Sequence, residues 1–379
     1  MIPKLLLPTL LTLATTASAQ TLWTVGPGAG QFPTIGAAVA AASAGDRIEV
    51  LPGAYPGFTV DKGVAITGRD AVVVAISPPN TGGIVVQDVP AGERAVISGI
   101  RLDGRFASVT VRNNAGRVLL DRLVQPTGET LVITDSPGTS VDNCRIGHSA
   151  TVRGSRGVTI RASVFFPAEP TTFAREGLTI ENSDVELTAT RVEAGSFYFG
   201  ANAGILLRNG NLRLRGPSNV VRVLQTRGGP GNAILASGSA TLELDPGTEL
   251  RSFAGAPPVA GVTPSFRQRP SLHASTQPLP GAVNVTLFDG RPGANYAMFV
   301  SLPSGPTAVP GLDTSTWLDL PGAVLATSGV LGADGRATAT LPLASNEALV
   351  ATAFTWQALV FGAGATAELT NPASYVHYR

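Results

Sequence analysis

Hydrophobic and polar positions alternate along this chain in runs of three to six residues, broken by Gly, Asn, Ser and Asp, over residues 48–253. Alternation with a period of two marks half-buried β-strands, and the interrupting residues are those that tolerate tight turns. One stretch has a different period. In the Ala-rich segment 34–43, Ile35, Val39 and Ala42 stand at helical spacing and Gly45 follows, which predicts one short amphipathic helix. Arg47-Ile48-Glu49-Val50-Leu51 then reads as a strand running into the Pro52-Gly53 turn.

The β runs repeat. Thr110-Val111-Arg112-Asn113-Asn114 returns in form as Val132–Ser136, Thr151–Ser155, Thr179–Ser183, Leu206–Gly210 and Leu235–Ser239. Each is followed by a second short strand: Val118–Leu120, Ser140–Val141, Val158–Ile160, Val185–Leu187, Leu212–Leu214 and Thr241–Leu244. Units of about 19 to 29 residues without helices predict a parallel β-helix, in which each coil stacks about 4.8 Å above the last and only inward side chains form the core. A leucine-rich repeat would need its leucine–asparagine consensus, which is missing; a sandwich or barrel of antiparallel hairpins is the competing picture. Eight to ten coils fit between Ile48 and Phe253, with the helix at 34–43 capping the open first coil.

Residues 254–270 are rich in Pro, Gly and Ala and read as a linker. From Ser271 the pattern becomes that of half-buried antiparallel strands: Val283–Phe288 and Ala337–Leu341 alternate, Asp289-Gly290 and Asp334-Gly335 punctuate, and Phe354–Val360 forms a last long strand. The expected fold is therefore all-β: a right-handed parallel β-helix with an N-terminal cap over 20–253, a linker over 254–270 and a small β-sandwich over 271–379.

The run from Phe32 through Gly53-Ala54-Tyr55 and on to Phe58–Ile66 resembles the opening of the pectin-lyase-like right-handed parallel β-helix superfamily, and Val158–Phe165 resembles its internal coil repeat. The resemblance covers residues 31–253 and implies the fold more than any chemistry, since many members have no known activity. The C-terminal segment resembles the compact β domains appended to secreted bacterial β-helix proteins, which implies surface attachment or accessory binding.

Composition narrows the function. Twenty-seven basic and 26 acidic residues leave a net charge of +1, without the concentrated basic face that nucleic acid demands. A hydrophobic fraction of 44% with 14% charged residues is enough to bury a core. Met1–Ala19 reads as a secretory signal with Lys4 as its only charge and Ala17-Ser18-Ala19 as the cleavage site, so a secreted or cell-surface location is expected. No apolar run long enough to span a membrane follows it. Cys144 is the only cysteine and excludes an intrachain disulfide; it reads as small buried filling, in one column with Ser163 and Thr190. His148, His273 and His377 have no metal-ligand spacing, and neither a metal nor a cofactor is expected.

The resemblance invites a search for polysaccharide-cleaving residues. The Arg-x-Pro-x-x-Arg phrase of pectate lyases is missing, and of the polygalacturonase phrases only fragments remain, in Arg145-Ile146-Gly147-His148. Aligning coils by their second strand puts Asp121, Asp142, Arg161, Thr188, Arg215 and Asp245 in one outward column. Asp121 and Asp142 would then stand about 5 Å apart, close enough to raise one pKa, as paired-carboxylate chemistry requires. With Arg145, His148 and Arg161 they are the catalytic candidates; otherwise the column is a mixed-charge ladder solvating the wall. Asn113-Asn114 would open a ladder at a coil turn. Phe197, Tyr198 and Phe199 are the candidate platform for a sugar ring, with Phe165-Phe166 the other aromatic cluster. The expectation is a non-catalytic extracellular binding, scaffold or adhesion module whose partner is a polysaccharide or cell-surface component. The alternative is a lyase or glycoside hydrolase with a non-standard site on the wall.

Overall fold

The computed structural model describes residues 20–378 apart from 70–73, 77–82, 104–106, 127–129, 167–175, 196–202, 225–229, 277–278, 290, 311, 313–314, 344–345, 347–348 and 363–366. The signal-peptide reading of residues 1–19 and the aromatic cluster 197–199 therefore lie outside the described residues.

The repeat closes into a parallel β-solenoid of about eight turns. Its walls are three parallel sheets of eleven, nine and six strands. A typical coil runs from Val109–Arg112 on the nine-stranded face to Arg117–Asp121 on the eleven-stranded face, then to Val124–Gln125 on the six-stranded face. Strands pair only with the coils before and after, for example Val109 with Leu131 and Leu119 with Ser140. Alternation turns Val118 and Leu120, or Val158 and Ile160, into the core, so the interior becomes stacked columns of Val, Ile and Leu.

Two corners make this periodicity possible. Where the eleven-stranded face bends into the six-stranded one, Arg122, Asn143, Ala162 and Ala189 all take left-handed backbone angles, φ 46–54°. Their amides still pair upward: Arg122 N–H donates to the Asp142 carbonyl at 2.9 Å and Asn143 N–H to that of Arg161 at 3.0 Å. The next residue points inward, giving the expected column of Cys144, Ser163 and Thr190, in which Cys144 N–H donates to Ser163 Oγ at 3.0 Å. At the other corner Asn114 begins a ladder of side-chain acceptors. Val89 N–H donates to Asn114 Oδ1, Ser136 N–H to Ser155 Oγ and Ser155 N–H to Ser183 Oγ, each at 3.0 Å. Buried amides that face no strand are thereby satisfied by the coil above.

The helix forms at Ile35–Ala41. Thr34 caps it by accepting from Ala37 N–H at 3.1 Å, and Ile35, Ala38 and Val39 are buried against the first coils. Strand Leu22–Val25 lies outside Arg47–Val50 as the first strand of the eleven-stranded face.

The Pro/Gly-rich stretch read as a linker carries the last coil. Val259–Ala260 pairs with Ile234–Leu235, and Ser265–Phe266 pairs with Glu243–Leu244. Beyond it, strands Ser271–Thr276, Gly281–Phe288 and Arg336–Leu343 form one antiparallel sheet. Val324–Val330, Asn295–Ser301, Ala353–Phe361, Ala367–Leu369 and Ala373–Val376 form another. The two share a core of Leu272, Val283, Val285 and Leu287 against Met298, Val300, Trp356 and Val360. This antiparallel unit lies on the eleven-stranded face, where Val96 and Leu119 of the solenoid pack with Ala353 and Val376.

Candidate functional site

The register places the acidic and basic candidates of the second strand as the repeat predicted. Asp121 pairs with Asp142, Asp142 with Arg161, Arg161 with Thr188 and Thr188 with Arg215. Asp245 continues the column, its amide donating to the Leu214 carbonyl at 2.8 Å.

The column does not meet solvent. Asp121, Asp142 and Arg161 are 0%, 1% and 4% exposed, and Thr188, Arg215 and Asp245 are equally buried. The expectation of an outward, solvating charge ladder is corrected here: these side chains point away from the solenoid core but are roofed by the C-terminal sheets. Arg122 lies 3.4 Å from the centroid of the Tyr378 ring. Arg215 Nη1 donates to the Leu369 carbonyl at 3.1 Å. A roof held by backbone carbonyls leaves no signature in side-chain pattern, so the repeat could not announce it.

Buried charges require partners. Arg161 meets Asp142 in a two-pronged ion pair, Nε to Oδ1 at 2.6 Å and Nη2 to Oδ2. Asp121 accepts from Ser98 Oγ at 2.8 Å, Arg122 Nε at 3.0 Å and Asn143 Nδ2 at 3.1 Å. Arg215 Nη2 reaches Glu186 Oε2 at 3.4 Å. Burial pushes the Asp142 carboxyl up to about 6; the Arg161 charge opposes that shift, and Asp121 adds a smaller push in the same direction. Each carboxylate thus stands in its own hydrogen-bonded cage.

The other catalytic candidates are elsewhere. Arg145 stands exposed on the six-stranded face, its guanidinium 4.7 Å from the centroid of the Phe166 ring. His148 lies in the bend beyond that strand. A corner of the solenoid separates both from Asp121, Asp142 and Arg161. Phe165 is a core residue. Cys144 is buried, its thiol donating to the carbonyl of Asp142 at 3.2 Å, and burial raises its pKa well above the ordinary thiol value, opposite to the activation a nucleophile needs. Among the described residues, no group of three or more His, Cys, Asp or Glu could hold a metal ion. Nor, among them, is any helix long and apolar enough to cross a membrane.

What fold and site define together is a parallel β-solenoid whose mixed-charge wall is the seat of an antiparallel C-terminal unit. No family model matches the chain, and no curated protein matches it. Among solved structures it is similar to the full-length tailspike protein 2 of Escherichia coli O157:H7 bacteriophage CAB120. The identity is 10%, over 88% of this chain and 60% of that one, with a TM-score of 0.24. The chain thus spans about 60% of the length of that tailspike.

Proposed function

We propose that this chain is a secreted, non-catalytic β-helix module of the pectin-lyase-like type, acting outside the cell as a rigid binding or scaffold element for a polysaccharide or another cell-surface component. The opening phrase Phe32–Tyr55 and the signal-like residues 1–19 support the superfamily and the location. The observation that carries the functional reading is the use made of Asp121, Asp142 and Arg161. On the wall where a substrate groove would need free carboxylates, they are buried and committed to pairs beneath the C-terminal sheets. The nine-stranded wall carries the exposed Arg112, Arg153 and Arg208.

The test is a binding and turnover screen on acidic and neutral polysaccharides, with and without calcium. Retention on at least one polysaccharide without new reducing ends or unsaturated products is the expected result. Product formation that disappears in a folded Asp142→Asn variant would overturn the reading in favour of a lyase or hydrolase.

A further inference from the structure

A second feature of the same interface lies nearer the N-terminal end of the solenoid, away from the Asp121–Arg161 column. Between the first coils and the C-terminal unit is a cleft of about 750 Å³. Its solenoid side presents Arg47, Arg94 and Arg117, and Leu302, Pro303 and Ala351–Ala353 close it from the other side. Arg94 and Arg117 are register partners on adjacent strands, so their side chains leave the wall about 4.8 Å apart.

Arg94 and Arg117 are held by neutral groups. Arg94 Nη1 donates to the Pro303 carbonyl at 2.9 Å, and Arg47 Nη1 to the Val350 carbonyl at 2.9 Å. The Arg117 guanidinium lies 5.6 Å from the Trp317 ring centroid. Among the described residues neither Arg94 nor Arg117 has an ion-pair partner, in contrast to Arg161 and Arg215. Arg94 Nε is buried with no hydrogen-bond partner. Two carboxylates line the cleft, Glu93 and Asp319, and Glu93 Oε2 already accepts from Gly63 N–H at 2.6 Å. Burial and, less, the neighbouring Arg117 charge push the Arg94 pKa down to about 10.

We propose that this cleft binds a doubly charged oxyanion, carried as the phosphate ester of a small polar molecule such as a sugar. Two guanidiniums one strand spacing apart can fork onto a single tetrahedral dianion, whereas one carboxylate would leave half of their charge uncompensated. The volume exceeds what a free phosphate or sulfate fills and falls within the range of small-molecule sites, which leaves room for the body of the ester.

Calorimetric titration of the full chain with glucose 6-phosphate, inorganic phosphate, sulfate and glucose tests this. Glucose 6-phosphate should bind most tightly at pH 8 and glucose not at all. Binding of both phosphates should weaken at pH 5, where they lose their second charge, while that of sulfate should not. Arg117→Gln should cost about tenfold or more in glucose 6-phosphate affinity, and Arg117→Lys should recover part of it. Arg94→Gln, with its melting temperature measured alongside, should weaken the ester to a similar extent. Inorganic phosphate binding as tightly as the ester would overturn the sugar-phosphate assignment. Lack of heat with every oxyanion, or affinities unchanged in both Gln variants, would overturn the site itself. Retention on polysaccharide in those same variants would leave the scaffold function standing.

Discussion

At the scale of single residues, the Asp142–Arg161 pair shows how little a charged side chain's identity says about its work. Two prongs of hydrogen bonding hold the pair under the C-terminal sheets, so removing one partner strands the other as a buried charge. Asp142→Ala should cost about 3–5 kcal/mol in urea unfolding, while the double variant Asp142→Leu/Arg161→Met should recover most of that loss. If the double variant were as unstable as the single one, the pair would be holding the interface in some way beyond its charge balance. The raised Asp142 pKa adds a pH signature. A carboxyl that titrates near 6 in the fold and near 3.8 when unfolded contributes stability that is complete below 3.8 and lost as pH rises through 6. Asp142→Asn should remove that slope. Cys144→Ser, by contrast, places a hydroxyl in a column that already holds Ser163 and Thr190, and should shift stability by less than about 1 kcal/mol in the same assay.

At the scale of elements, the solenoid strands were legible because a parallel coil repeats its instruction: apolar at inward positions, then a residue that accepts a left-handed angle, as at Asn113, Asn182 and Asn209. The helix at Ile35–Ala41 was legible from its change of period. The strands Val259–Ala260 and Ser265–Phe266 were not: two-residue strands are too short to show alternation, and Pro257-Pro258 and Gly261 mask them as linker. The register of the charged column was readable and its burial was not, because what covers it comes from residues more than 50 positions further along the chain. The last strand, Ala373–Val376, leads directly to His377, which is wedged against the rings of Phe354 and Tyr375, at 5.1 and 5.0 Å between centroids. Burial there lowers the His377 pKa to about 4, so the fold takes up only the neutral imidazole. Its contribution to stability is complete above the ordinary value of 6.5 and is lost as pH falls toward 4, opposite in sign to that of Asp142. Urea midpoints at pH 7 and pH 4.5 should fall less in His377→Phe than in the parent protein, and an unchanged drop would place the acid sensitivity elsewhere.

At the scale of the whole molecule, the solenoid and the C-terminal sheets behave as one body in two layers. All but two of the 27 basic residues are arginine, Lys4 and Lys62 being the exceptions, and arginines make many of the contacts between the layers. Protease nicking within the exposed 254–258 stretch should therefore leave fragments that co-elute in native gel filtration and separate only in denaturant. Truncation at residue 268 would bare Val96, Leu119 and the charged column, and should lower the melting temperature by several degrees or yield aggregates. Clean separation of two stable, soluble halves would contradict the layered picture. The contacts across the interface run from Arg47, on the second strand of the eleven-stranded face, to Arg215 on the ninth, a span of about 34 Å at 4.8 Å per step. Repeat proteins ordinarily gain or lose whole units with little penalty, since each unit meets only its neighbours. Here the covering sheets act as a ruler laid along the stack. Inserting or excising one coil would slide half of the fastening points out of step with their partners, so a fold built for variable length has its number of turns gauged from outside.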